Sequence, residues 1–161
     1  MPVVVRPLET RIAEALAAAV LALTPQVPAS QLYLRPAGLF VPDRDKLPAL
    51  LACVTPGQGV TTRRMLRPGR AEATCFTTVI LIDAQNAGVT AAKPVEPDRD
   101  WRAGWRLEVV SAVGGHPLSA VAEVVRVFAE PGETLDMSQF EASNLWWSAV
   151  TFRTLARVDS P

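Results

Sequence analysis

A chain of 161 residues, 49% hydrophobic and 20% charged, is long enough to bury one ordinary core and too apolar to be disordered throughout. Sixteen Lys/Arg balance sixteen Asp/Glu, and a formal net charge of zero argues against a chain dedicated to nucleic acid. The balance is uneven along the chain: residues 1–72 carry nine basic against five acidic side chains and residues 73–161 seven against eleven, a separation that can orient partners. No run approaches the ~20 apolar residues of a membrane-spanning helix. The opening MPVVVRPLETR has no basic stretch ahead of an apolar one, so no signal peptide is expected, and a cytoplasm-like compartment is.

Pro2–Arg6 is a short β-prone lead-in. From Pro7 to Leu23, Leu8, Ile12, Leu16, Val20 and Leu23 recur every three or four residues while Glu9, Arg11 and Glu14 face elsewhere. This is the stripe of an amphipathic helix lying on a sheet, rich in helix-favouring alanine and closed by Pro25 and Pro28. Gln31–Arg35 and Leu39–Val41 are brief extended pieces, and Asp43–Lys46 is a solvated turn. Leu47–Thr55 is a compact apolar strand ended by Pro56-Gly57. Residues 58–72 carry Arg63, Arg64, Arg67 and Arg70 and read as a long basic loop. Ala73–Gln85, apolar on both faces toward its end, is a central strand that forms a hairpin with Leu47–Thr55.

Asn86–Asp100 is a loop, and Asp98 or Asp100 is placed to cap a helix from Trp101 to Val113. Its apolar stripe is Trp101, Trp105, Val109 and Ala112 or Val113, and Gly114-Gly115 and Pro117 stop it. Leu118–Ala129 is open between strand and helix, its valines tilting it toward strand. Glu130–Ser143 is an acidic connection without Lys or Arg. Leu145–Val158, rich in aromatic and β-branched residues and lacking Gly and Pro, reads as a long final strand. Trp146, Ser148, Val150, Phe152, Thr154, Ala156 and Val158 share a face fit for a core. Leu145, Trp147, Ala149, Thr151, Arg153, Leu155 and Arg157 share the other, which is neither plainly solvated nor plainly buried and suits packing against another subunit. The expected architecture is α+β. It is a single domain over 1–161, with a mixed, mostly antiparallel sheet of about four to five strands and two helices packed on one face.

The residues that carry chemistry are sparse. His116, the sole histidine, sits in a Gly-Gly-His-Pro turn with no second ligand, so no metal site is expected. Cys53 and Cys75 lie in apolar strands and read as inert buried thiols, not as a disulfide or a nucleophile. Asp98 and Asp100 read as solvated loop charges, and Asp83 as the mark of a strand end. No Walker loop, G-x-G-x-x-G or G-x-S-x-G occurs, so neither a cofactor nor a catalytic residue is expected and the chain reads as a non-enzyme.

Element order and two short motifs carry a resemblance. Leu47-Pro48-Ala49 opens an early strand and Leu145-Trp146-Trp147-Ser148-Ala149 opens the last, after an N-terminal amphipathic helix, a second long strand, a helix and an acidic connection. In this pattern the chain resembles the tail terminator (minor tail protein) family of long-tailed bacteriophages, of the lambda kind, with related neck and tail-completion proteins sharing the same logic. The segment 86–129 departs from the pattern by an extra Pro-rich loop. The resemblance implies a structural subunit that forms a ring, a hexamer. The ring caps the tail tube, ends its polymerisation and meets the head connector, with DNA only as passing cargo. It also implies a location in the host cytoplasm during assembly and then in the virion tail or neck. Two other readings stand beside it: a small α+β enzyme or ligand-binding domain with a loop-built site, and an accessory protein that touches nucleic acid through Arg63–Arg70. For a ring, the expected contact residues are Arg63, Arg64, Arg67 and Arg70 against Glu130, Glu133 and Asp136, together with Trp147, Arg153 and Arg157.

Overall fold

The computed structural model describes residues 7–23, 30, 32–34, 51–56, 62–84, 97–113, 118–130 and 145–159. In chain order they form α1 (Leu8–Leu21), β1 (Leu32–Leu34), β2 (Leu51–Pro56), β3 (Thr62–Arg67), β4 (Arg70–Ala84), α2 (Pro97–Val113), β5 (Val124–Glu130) and β6 (Leu145–Asp159). The fold is α+β, built on one mixed, mostly antiparallel sheet with the order β1-β2-β4-β6-β5. Among the described residues only the β1–β2 pairing is parallel.

The sheet is organised by its two longest strands. β4 and β6 are each 15 residues, roughly 50 Å of extended chain, and pair antiparallel from Arg70↔Asp159 to Ala84↔Leu145. β6 fills the whole of one edge of β4. The opposite edge is shared: β2 takes Thr77–Ile82 and β3 takes Arg70–Thr74.

Here the structure corrects the sequence reading of 58–72 as a loop. Thr62–Arg67 is a strand, and β4 begins at Arg70, three residues before the expected Ala73. The physical reason is that a strand on a sheet edge exposed on both faces tolerates arginine, so its pairing leaves little hydrophobic trace. The reversal needs only Pro68-Gly69. Proline sets the first turn dihedral, and Gly69 at φ 79° supplies the left-handed position a type II turn requires. The sheet therefore has six strands among the described residues, where four to five were expected; β1 falls within the extended piece expected at Gln31–Arg35, and β3 is the addition.

Both helices lie on one face of this sheet. α1 packs on β1, β2 and β4, α2 packs on β5 and β6, and the helices touch each other. Ile12, Leu16 and Val20 of α1 are fully buried, as their spacing predicts, with Leu8 and Leu23 packed at the margin. α1 ends at Leu21; Pro25 and Pro28 lie outside the described residues. Beneath the helices lie alternate residues of the long strands: Cys75, Val79 and Leu81 of β4, and Trp146, Val150, Phe152 and Ala156 of β6. The predicted core face of β6 is thus the core face, with Ser148 and Thr154 also buried and Val158 half-buried at its end.

α2 starts at Pro97, not at Trp101, so Asp98 and Asp100 stand inside its first turn and do not cap it. Proline is at home there because the first helical N–H has no partner to lose. Val109 and Val113 are buried and Ala112 is exposed, which settles the stripe; the side chains of Trp101 and Trp105 are outside the described set. In the ambiguous stretch 118–129, only Val124 onward is strand, preceded by a turn in which the Val121 N–H donates to the Leu118 carbonyl at 2.9 Å.

Candidate functional site

Strand alternation divides the molecule into a helix-covered face and an outer face. The outer face is read from the register in cross-strand rows. At the hairpin end stand Arg67, Arg70 and Asp159, then Arg64, Glu72 and Arg157. Thr74, Leu155 and Arg126 follow, then Phe76, Arg153 and Phe128, then Thr78, Thr151 and Glu130. Ile80 with Ala149 and Ile82 with Trp147 close the series. The face runs from basic at the turn, through an arginine–aromatic band, to apolar at the far end. There it is covered: Ile82 and the neighbouring Cys53 are fully buried.

The middle band is held by short-range contacts. The Arg153 guanidinium lies 4.6 Å from the Phe128 ring centroid and that of Arg126 lies 5.0 Å from it, so one ring serves two cations. Arg153 Nε also meets Glu130 Oε1 at 3.3 Å, with both side chains substantially exposed, a pair worth about 0–1 kcal/mol. The Thr78 and Thr151 hydroxyls are 3.1 Å apart across the strands. Phe76, Trp147 and Leu155 are half-buried.

The expected contact residues fall into three places. Arg63, Arg64, Arg67 and Arg70 are all exposed on the β3–β4 hairpin, but not on one face: Arg63 sits opposite buried Ala73 on the helix side, whereas Arg64 pairs with Glu72 on the outer side. Trp147, Arg153 and Arg157 lie on the outer face of β6, as expected. Glu130 ends β5 and is engaged by Arg153. Glu133, Asp136 and His116 lie outside the described residues. Cys53 and Cys75 are buried and not joined in a disulfide, and they lie on opposite faces of the sheet.

At the hairpin end Leu66, Arg67, Arg70 and Arg157 line a cleft of about 220 Å³ whose walls are mostly apolar. Beside it, Arg70, Arg157, Glu123, Asp159 and Val125 border an opening of about 330 Å³. The shortest ion pair among the described residues involves Glu123, which borders this opening. Arg11 of α1 donates Nη2 to Glu123 Oε1 at 2.6 Å and Nη1 to Oε2 at 3.3 Å, a two-pronged clasp between helix and sheet. That bond, aided by a backbone hydrogen bond, holds the Glu123 carboxyl below its ordinary range. Farther away, burial lowers the pKa of Arg106 on α2.

Two of these features were missed by sequence reasoning. Arg106 precedes Val109 and Val113 by three and seven residues, so helical spacing alone puts it on the inward stripe. The Arg11–Glu123 clasp joins residues 112 apart and leaves no local signal. Among the described residues no group of three His, Cys, Asp or Glu is placed to hold a metal ion, and no helix is long and apolar enough to cross a membrane. What the outer face offers chemically is a set of fixed cations interleaved with aromatic and aliphatic surface. Comparison with protein-family models and with curated proteins finds no match.

Proposed function

We propose that this chain is a structural subunit of a long-tailed phage particle that assembles with copies of itself into a ring, a hexamer. The ring caps the tail tube, ends its growth and joins it to the head connector, forming in the host cytoplasm and passing into the tail or neck. The observation that carries this reading is the outer face of the sheet. Phe76, Phe128, Trp147 and Leu155 stand there half-buried beside Arg126, Arg153 and Arg157, while both described helices lie on the other face. Aromatic residues mixed with arginine are the composition that protein interfaces favour. The helix side of the β3–β4 hairpin, where Met65, 57% exposed, stands opposite Ala71 and Arg63 opposite Ala73, supplies a second surface on the other side of the sheet. A cyclic ring needs two unlike surfaces that meet.

In this reading the hairpin arginines meet the acidic connection carrying Glu133 and Asp136 on the neighbouring copy. Charge steers the encounter and Met65 and Leu66 supply apolar contact. The experiment is native mass measurement with electron microscopy. The chain gives a closed ring. Arg64→Glu combined with Arg67→Glu gives folded monomers, and mixing with a Glu133→Arg, Asp136→Arg partner restores rings in part. A monomeric wild-type chain at all concentrations, or intact rings from the reversed hairpin, sinks the reading.

A further inference from the structure

We propose that two edges of the sheet pair with each other between copies: β5 of one chain adds to β3 of the next, so that one antiparallel sheet runs on from subunit to subunit. The proposal rests on the ring reading and names the contact that holds the ring together. Among the described residues β3 pairs only with β4 and β5 only with β6, so each has one edge with no strand beside it. The backbone N–H and C=O groups of such an edge are a template for another strand. The two edges also match in height, length and direction. The row Thr62, Thr74, Leu155 and Arg126 crosses one section of sheet with β3 at one end and β5 at the other. β3 has six residues and β5 seven, edges of about 20 Å each.

Every pairing in this section is antiparallel, so β5 runs opposite to β3. In a ring whose axis lies along the strands, all copies keep the same direction. β5 then meets the neighbour's β3 antiparallel, and the alternation crosses the subunit boundary unbroken. The two edges differ in sequence, as the head-to-tail contact of a closed ring requires. Side chains point to the same pairing. Natural proteins blunt open edges with charge, yet the exposed large apolar residues of the described sheet stand on its outermost strands. They are Met65 at 57% and Leu66 at 50% on β3, Val125 at 45% on β5 and Leu34 at 37% on β1. β1 has only three residues and offers too short an edge. Arg63, Arg64 and Arg67 of β3 repel those of a second β3. The charged residues of β5 are one cation and one anion, Arg126 and Glu130, so β5 is the partner that β3 tolerates.

The test is hydrogen–deuterium exchange read residue by residue on the assembled full chain, with particle mass recorded on the same samples. In an open edge strand, N–H groups that face the sheet alternate with groups that face water, so every second amide exchanges fast. With the edges paired, successive amides are protected over 63–65 of β3 and 126–129 of β5, both stretches of regular register. Fast exchange at every second position in either strand of an intact ring sinks the pairing and leaves the ring. A chain that is monomeric at all concentrations sinks both. Substitution at Val125 gives a second reading. Val125→Glu presents the neighbour's β3 arginines with an opposite charge and Val125→Lys with a like one, while both lose the same apolar surface. The Glu variant should therefore assemble about five- to tenfold more tightly than the Lys variant. The same two substitutions at Leu107, exposed on α2, should assemble alike. Thermal unfolding verifies that each variant is folded. Equal assembly of the two Val125 variants, or an equal difference at Leu107, overturns the assignment.

Discussion

Leu16→Ala is the most direct probe of how α1 is held. Leu16 is fully buried at the centre of the helix–sheet core, beside Ile12 and Val20 and over strands β2 and β4. The substitution removes three carbons, worth about 2.4 kcal/mol of transfer free energy at ~0.8 per methylene, and leaves a cavity that a close-packed core fills only in part. The total should be about 3–4 kcal/mol. For a chain of this size that lowers the thermal midpoint by roughly 6–16 °C, at about 2–4 °C per kcal/mol. Thermal and urea unfolding followed by circular dichroism measure it. Ala18, exposed on the same helix, provides the comparison. Ala18→Gly costs about 1 kcal/mol through helix propensity alone, whereas Leu→Ala slightly improves propensity. If Leu16→Ala moves the midpoint no further than Ala18→Gly, the helix is not packed on the sheet and the described core is wrong.

Glu123→Gln should cost about 0.5–1 kcal/mol, since both partners of the Arg11 clasp keep 34% of their side-chain surface in water. Because the folded carboxyl is held below its usual range, the stabilisation is present above the unfolded value of about 4.3 and is lost as pH falls through the lower folded value. The gap between wild type and variant, measured by urea midpoints, should therefore close in acid; a gap that widens there refutes the clasp. Two glycines should respond with opposite signs. A side chain at Gly69 meets nothing within 4 Å, so Gly69→Ala costs about 1–2 kcal/mol from its φ of +79° alone. Gly104, inside α2 with equally open space, should gain about 0.5–1 kcal/mol as alanine. Thermal midpoints that move the same way would contradict the turn or the helix.

The elements whose signal is a repeating apolar pattern were legible before any coordinates. α1 could be read from Ile12, Leu16 and Val20, and the core face of β6 from Trp146 through Ala156, because burial on one side of a regular element imposes its period on the residues. The pairing of β2 with β4 was likewise legible, from two apolar runs close in sequence. What the pattern cannot carry is pairing that buries little. β3 escaped because its six residues sit on an edge with polar side chains, and backbone hydrogen bonds form whatever the side chain is. For the same reason the arginines of 63–70 looked like one cluster in sequence, yet alternation sends Arg63 to one face and Arg64 to the other, and the irregularity between Met65 and Arg67 sets Arg67 opposite Arg70. Arg157 lies 87 residues from Arg70, and only the full-length register of β4 against β6 brings the two to one cleft. Local order follows from the chain's own periodicities, whereas the meeting of distant cations depends on strand register, which tertiary packing alone decides.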